Sequence, residues 1–235
     1  MGGELTLPIV IAAAAIDSIN PCVFGVLIFL IAFMTRVFKS PTKMLLFGFL
    51  YSVVVYATYL LLGFGILKIT IDTGFATTFY WIAAIIAIVA GLIEIKDYFW
   101  YGKGFSLQII PGGAERIKRY TKIIEKMENK HPALLILTTA LLGIFVVLVE
   151  LPCTGAPYLA ILGLLSKGAF ETAVPLLLLY NFVFIIPLFF IIGIAYFGAS
   201  SEKLESLRKE HRGLMRLGVG IFLLALGFYM IYSLS

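Results

Sequence analysis

The chain has 235 residues, of which 61% are hydrophobic and 13% are charged, and its mean hydropathy is +1.05. This composition excludes a soluble globular domain and predicts an integral membrane protein. The net charge of +5 does not indicate nucleic-acid binding, because the basic residues fall in short gaps between apolar runs.

Six apolar runs follow one another along the chain. They cover residues 5–35, 44–67, 75–95, 132–166, 173–198 and 214–234. Each reaches the length of about 20 residues that a helix needs to cross a bilayer. The alternation of period two that a membrane β-barrel requires is absent. We therefore predict an all-α membrane protein, with six transmembrane helices in a single transmembrane domain, residues 1–235.

The positively charged residues predict the orientation of these helices. The gaps after the first, third and fifth runs, with Arg216 just inside the sixth, carry sixteen of the 18 lysines and arginines. The opposite side has only Lys68 and Lys167. Cytoplasmic loops are enriched in such residues. We therefore predict a multi-pass protein of the cell membrane with both termini extracytoplasmic.

The longest basic gap, residues 104–131, is predicted to be a cytoplasmic loop with an amphipathic helix at 114–130. Pro111-Gly112-Gly113 precedes this helix and His131-Pro132 ends it. Two interpretations remain open. The helix lies on the anionic inner surface of the bilayer, or it forms a docking surface for a soluble partner.

Two segments each place a proline and a cysteine near the middle of an apolar run of about thirty or more residues. They are Ile19-Asn20-Pro21-Cys22-Val23-Phe24-Gly25 and Leu151-Pro152-Cys153-Thr154-Gly155-Ala156-Pro157. Inside a helix, proline costs about 3 kcal/mol and glycine about 1 kcal/mol. We therefore predict that the first and fourth helices are broken at mid-membrane. The residues that support these breaks are Pro21, Gly25, Pro152, Gly155 and Pro157.

The two halves of the chain resemble each other. Pro21-Cys22 corresponds to Pro152-Cys153, 131 positions later, and Tyr51-Ser52 corresponds to Tyr180-Asn181, 129 positions later. Because each half contains an odd number of helices, the halves enter the membrane in opposite directions and form an inverted repeat. We predict three-helix repeats at 1–103 and 132–235, which brings Cys22 and Cys153 towards the shared axis.

Two cysteines near a common axis favour redox chemistry. They can form a disulfide when their Cα atoms come within about 7 Å. Such a bond accepts two electrons from a thiolate on one side and passes them to a disulfide on the other. This chemistry needs no cofactor, and no group of residues has metal-ligand spacing. A lone buried cysteine is ordinarily a small hydrophobic residue, but two at matched positions after proline favour the redox interpretation.

These features resemble the CcdA family, small relatives of the DsbD transmembrane domain. The resemblance rests on Pro21-Cys22, on Pro152-Cys153-Thr154 with Pro157, and on the six spans, and it covers essentially the whole chain. One departure is Val23-Phe24-Gly25, where relatives commonly carry another proline. The resemblance implies that cytoplasmic thioredoxin reduces the Cys22–Cys153 pair. The pair then reduces extracytoplasmic thioredoxin-like proteins, often for cytochrome c maturation.

Carboxyl groups inside the apolar runs are the remaining candidates for chemistry. Asp17 and Glu150 precede the two cysteines by five and three residues. Either could take a proton from a thiol during exchange; alternatively, both line a wet cavity or cap broken backbone. Glu94, beside Lys96, is expected at the membrane interface, and Asn20 is expected to form hydrogen bonds between packed helices.

Two other classes of function remain open. Broken helices, an inverted repeat and carboxyl groups at mid-membrane also fit a small-solute or ion transporter. An assembly scaffold without a cofactor is disfavoured, because it explains neither break. A transporter should tolerate replacement of both cysteines by serine, whereas an oxidoreductase should not.

Overall fold

Helices make up most of the chain in the computed structural model, which describes residues 3–20, 22–23, 26, 41–100, 132–196 and 201–233. Within these ranges no strand occurs, and six main helices follow one another. They are α1 (Gly3–Ser18), α2 (Pro41–Asp72), α3 (Ala76–Phe99), α4 (Pro132–Leu165), α5 (Phe170–Tyr196) and α6 (Ser201–Tyr232).

The protein is a multi-pass helical membrane protein. Within the described ranges, four segments are long and apolar enough to cross a bilayer: Thr42–Asp72, Ala76–Phe99, Phe170–Phe190 and Lys209–Tyr232. The bent helix α4 makes a fifth if its two arms form one span, and Leu7–Ser18 of α1 is apolar but shorter. Large apolar side chains such as Leu46, Leu61 and Phe190 are exposed on the outer faces of the helices, where lipid would cover them.

The predicted apolar runs agree with the helices that can be compared. The ends of α2, α3 and α5 lie within about five residues of the runs at 44–67, 75–95 and 173–198. Helix α6 begins earlier, at Ser201, because the polar residues before its apolar part continue the same helix. The predicted loop 104–131, its helix 114–130 and residues 27–35 of the first run lie outside the described residues.

Helices α3 and α6 form the most extensive helix pair, and glycine lets their backbones approach closely. A Cβ atom at Gly220 would lie 2.8 Å from Ile95 Cγ1 and 3.0 Å from the carbonyl oxygen of Gly91. A Cβ atom at Gly227 would lie 2.6 Å from Ile88 Cγ1. Small residues commonly permit such contacts between membrane helices. Gly91, Gly220 and Gly227 therefore lie in one helix–helix interface.

A buried charge cluster also joins α3 to α6. Arg216 Nη1 donates to Asp97 Oδ2 at 2.6 Å and to Glu94 Oε2 at 3.2 Å. Lys96 Nζ lies 2.7 Å from Asp97 Oδ1. Glu94 and Arg216 are each only 2% exposed. The expectation that Glu94 faces the interface beside Lys96 therefore needs correction, because its partner is a buried arginine 122 residues later.

The other helices meet around α2. Helix α2 packs against both α4 and α5, α1 packs against α5, and α3 packs against α4. Large buried side chains such as Tyr51 of α2 and Tyr180 of α5 fill the region between these helices. The two segments that contain proline and cysteine belong to α4 and to the end of α1. The fold therefore brings both towards the region enclosed by α1, α2, α4 and α5.

Candidate functional site

The first apolar run is interrupted immediately before Cys22. Helix α1 ends at Ser18, and the amide of Asn20 donates to the carbonyl of Asp17 at 3.1 Å in the turn that follows. The Cys22 amide then donates to Asn20 Oδ1 at 3.1 Å, and Cys22 and Val23 are helical. This is the bond by which an asparagine caps the start of a helix. Asn20 therefore stabilises the interruption beside Cys22.

The second apolar run is bent at its cysteine. The arms Leu135–Leu151 and Thr154–Leu165 of α4 meet at 83°. The bend therefore falls at Pro152 and Cys153, whose side chains lie outside the described part of the chain. Gly155 and Pro157 lie in the helical arm that follows the bend. A proline in the first turn of a helix is tolerated, because the amide it lacks has no partner within the helix.

Thr154 forms a hydrogen bond across this bend. Its hydroxyl donates to the carbonyl of Glu150 at 3.3 Å and lies 2.8 Å from the hydroxyl of Tyr59. Thr154 is fully buried and Tyr59 is only 2% exposed. Hydroxyl side chains can satisfy backbone groups where a membrane helix is interrupted. The bend in α4 is therefore tied to α2 through two side chains.

Aromatic side chains fill the space beside Thr154. The Tyr158 hydroxyl donates to the carbonyl of Tyr59 at 2.6 Å, and the two rings pack edge to face with centroids 5.6 Å apart. Asn181 Nδ2 lies 3.5 Å from the same hydroxyl. The Tyr158 ring also contacts that of Tyr180, at 5.4 Å between centroids. Helices α2, α4 and α5 are thus joined by a contiguous group of buried tyrosines.

The two candidate carboxyl groups occupy different surroundings. Asp17 Oδ2 accepts a 2.9 Å hydrogen bond from Tyr180. Glu150 lines a small cavity of about 20 Å³ together with Tyr51 and Val23, and its Oε1 atom has no hydrogen-bond partner among the described residues. A cavity of this size has room for a water molecule. Each carboxyl group therefore lies close to a tyrosine of the opposite half of the chain, Tyr180 or Tyr51.

Cys22 lies next to this cavity. Its side chain is buried, at 7% exposure, and it is disulfide-bonded. Val23 and Val26, which follow it, line the cavity opposite Glu150. The chain contains one other cysteine, Cys153. The described geometry thus brings Cys22, Asp17 and Glu150 into one region, while Pro21 and Gly25 lie outside the described residues.

Comparison with protein-family models, curated proteins and solved structures found no match to this chain. The resemblance to the CcdA family therefore stays a prediction.

Some residues of the site were not among the predicted ones. Tyr59 and Tyr158 bear the hydroxyl groups that hold the bend, but tyrosine is common near membrane interfaces and gives no separate signal. Thr154 was named only as part of the motif. Among the described residues, no group of three or more His, Cys, Asp or Glu side chains could hold a metal ion. The arrangement is suited to sulfur and proton chemistry in an apolar surrounding.

Proposed function

We propose that the protein is a transmembrane thiol–disulfide oxidoreductase whose redox pair is Cys22 and Cys153. In this proposal, cytoplasmic thioredoxin reduces the pair, and the pair reduces extracytoplasmic thioredoxin-like proteins, for example in cytochrome c maturation. The observation that carries the proposal is that Cys22 is disulfide-bonded in a chain with only two cysteines. The interruption before Cys22 and the 83° bend at the second cysteine add support, because neither is needed for a passive membrane helix.

The proposed reaction transfers two electrons and two protons. A thioredoxin thiolate attacks one sulfur of the pair, a mixed disulfide forms, and the other sulfur leaves as a thiolate that takes up a proton. The second thioredoxin cysteine then attacks the mixed disulfide, releases the first sulfur as a second thiol and closes the disulfide of thioredoxin. The reduced pair repeats these steps in the opposite sense with an outer disulfide, so each cycle restores the starting bond.

The proposal includes six spans arranged as two inverted three-helix repeats. In this scheme α1, α2 and α3 correspond to α4, α5 and α6. The contacts between helices support this scheme. The pairs α1–α5 and α4–α2 correspond, because each joins the first helix of one half to the second helix of the other. The pairs α2–α5 and α3–α6 each join two helices that occupy the same position in their halves. An axis that exchanges the two halves would relate these contacts. The predicted orientation, with both termini extracytoplasmic, rests on the basic residues and remains part of the proposal.

A small-solute or ion transporter is the alternative. Its main support is the presence of two buried carboxyl groups, Asp17 and Glu150. The oxidoreductase also explains the disulfide at Cys22, for which transport gives no reason.

The decisive experiment is to trap the mixed disulfide. Full-length Cys22→Ser and Cys153→Ser variants in lipid nanodiscs are incubated with thioredoxin that lacks its resolving cysteine and whose remaining cysteine is activated as a mixed disulfide with thionitrobenzoate. The free cysteine of the variant displaces thionitrobenzoate, and adducts are identified by non-reducing electrophoresis and mass spectrometry. We expect at least one variant to form a covalent adduct and the double variant to form none. If both single variants fold, as judged by circular dichroism, but neither forms an adduct, the proposed function is wrong.

A further inference from the structure

Glu150 combines burial with a free hydrogen-bonding atom. The residue is only 5% exposed, and its Oε1 has no hydrogen-bond partner among the described residues. A buried carboxyl group in a membrane helix costs several kcal/mol, so its retention points to a function. The cavity beside it provides space for a water molecule, which would supply the missing hydrogen bond.

The walls of this cavity connect Glu150 to the cysteine segment. The described lining includes Val23 and Val26, which follow Cys22 in the chain, and Tyr51 and Val55 of α2. Phe184, Ile185 and Leu188 of α5 also line the cavity. Because most of the lining is apolar, a water in the cavity would have Glu150 as its principal polar partner. It would lie beside the backbone segment that carries Cys22.

Asp17, unlike Glu150, lies outside this cavity. Both are buried carboxyl groups in the same region, and each has one oxygen atom without a hydrogen-bond partner among the described residues, although Asp17 Oδ2 accepts the hydrogen bond of Tyr180. The cavity therefore favours Glu150 of the two carboxyl groups that the sequence offered.

Building on the proposed function, we propose that Glu150 exchanges a proton with the cysteine pair through a water molecule in this cavity. When thioredoxin opens the disulfide, the released sulfur is a thiolate, which is a stronger base than a carboxylate and therefore takes a proton from a nearby carboxyl group. Glu150 donates a proton to that thiolate and becomes a carboxylate. When the pair is oxidised again, Glu150 takes the proton back from the attacking thiol, so that charge and protons balance over the cycle.

The groups around Glu150 fit this assignment. Asp17 of α1 and Tyr51 and Tyr59 of α2 lie close enough to interact with it electrostatically. The residues of α5 at the cavity are apolar. Neither tyrosine carries a positive charge that would hold Glu150 permanently as a carboxylate. A change in the charge of the cysteine sulfur can therefore decide where the proton resides.

The test compares the rate at which reduced thioredoxin reduces the oxidised full-length protein in nanodiscs, over a range of pH. We expect Glu150→Gln to slow reduction about a hundredfold, the lower range for lost proton transfer, and to flatten the pH profile. Glu150→Asp should restore part of the rate. Thr139→Val is the matched control, because it removes a buried hydroxyl from the same helix, and it should react at the wild-type rate.

A spectroscopic measurement keeps the test independent of folding in the variants. The infrared difference spectrum between the oxidised and reduced wild-type protein should show a carboxyl band that Glu150→Gln removes and Thr139→Val retains. If Glu150→Gln keeps the wild-type rate, pH profile and carboxyl band, or if Asp17→Asn alone removes them, the assignment to Glu150 is wrong. In that case the cysteine pair can still react with thioredoxin, whereas failure of the proposed function would abolish that reaction in the wild type.

Discussion

Replacing Gly220 by alanine should loosen the contact between α3 and α6. The added Cβ atom would lie 2.8 Å from Ile95 Cγ1, 3.0 Å from the Gly91 carbonyl oxygen and 3.1 Å from the Ile95 amide nitrogen. Two of these three atoms belong to the backbone, so a change of side-chain rotamer cannot relieve the contact. The helices must move apart instead.

The size of the effect follows from two opposed terms. Overpacking a close contact costs about 1–3 kcal/mol, and the backbone atoms at Gly220 indicate the upper part of that range. Alanine also favours a helix over glycine by about 1 kcal/mol. Gly218→Ala is the matched control, because a Cβ atom there would meet no atom within 4 Å on the same helix. Relative to the wild type, Gly220→Ala should therefore lose about 2 kcal/mol of stability, whereas Gly218→Ala carries only the favourable helix term.

Thermal unfolding in detergent micelles, followed by circular dichroism, measures this difference. A loss of about 2 kcal/mol corresponds to a melting temperature about 4–8 °C lower for a chain of this size. Gly91→Ala should lower it as well, since a Cβ atom there would lie 2.9 Å from the Gly220 carbonyl oxygen. Equal melting temperatures for Gly220→Ala and Gly218→Ala would refute the close approach of the two backbones.

Three further predictions concern the polar contacts. Thr154→Val and Tyr59→Phe should each lower thermal stability, because each removes one hydroxyl of the Tyr59–Thr154 contact. A double-mutant cycle should give a coupling energy of about 0.6 kcal/mol, the average for hydrogen bonds between membrane helices. A coupling energy of zero would contradict the contact. Gly63→Ala should lower the melting temperature, because the added Cβ atom would displace the Tyr158 hydroxyl. Adding Tyr158→Phe to that variant should recover part of the loss. An unchanged melting temperature in Gly63→Ala would argue against this packing. Arg216→Met should cost about 3–5 kcal/mol, because it removes the buried cation that Glu94 and Asp97 share and leaves only the partly exposed Lys96 beside them; a loss below 1 kcal/mol in the same unfolding assay would show that the cluster is solvated.

Local patterns in the sequence were sufficient to predict much of the helical architecture. Apolar length predicted α2, α3 and α5, because a lipid environment leaves few alternatives to a continuous helix. The bend of α4 was predicted at Pro152-Cys153, since proline removes a backbone donor where the run is too long for a straight span. Gly155 was predicted to support the break, but it lies in the helical arm after the bend. Glycine permits a break in a helix but does not require one.

The contacts between distant residues could not be predicted in the same way. Glu94 was assigned to the interface because Lys96 lies two residues away, whereas its partner in space is Arg216. The bond by which Asn20 caps the segment beside it depends on where α1 ends, which the apolar pattern does not mark. The pairing of Tyr59 with Thr154 spans 95 residues, and no periodicity or composition signal marks such a pair.

The helices are held together by two unlike kinds of contact, and this difference determines where the molecule can yield. Between α3 and α6, backbone touches backbone at Gly91 and Gly220, so even a small separation opens a gap that no side chain can fill. Around the cysteines, α2, α4 and α5 meet through tyrosine and threonine hydroxyls, which can rotate and exchange partners while the helices remain in contact. Rearrangement is therefore easiest among α1, α2, α4 and α5, while the glycine-paired helices α3 and α6 stay in place.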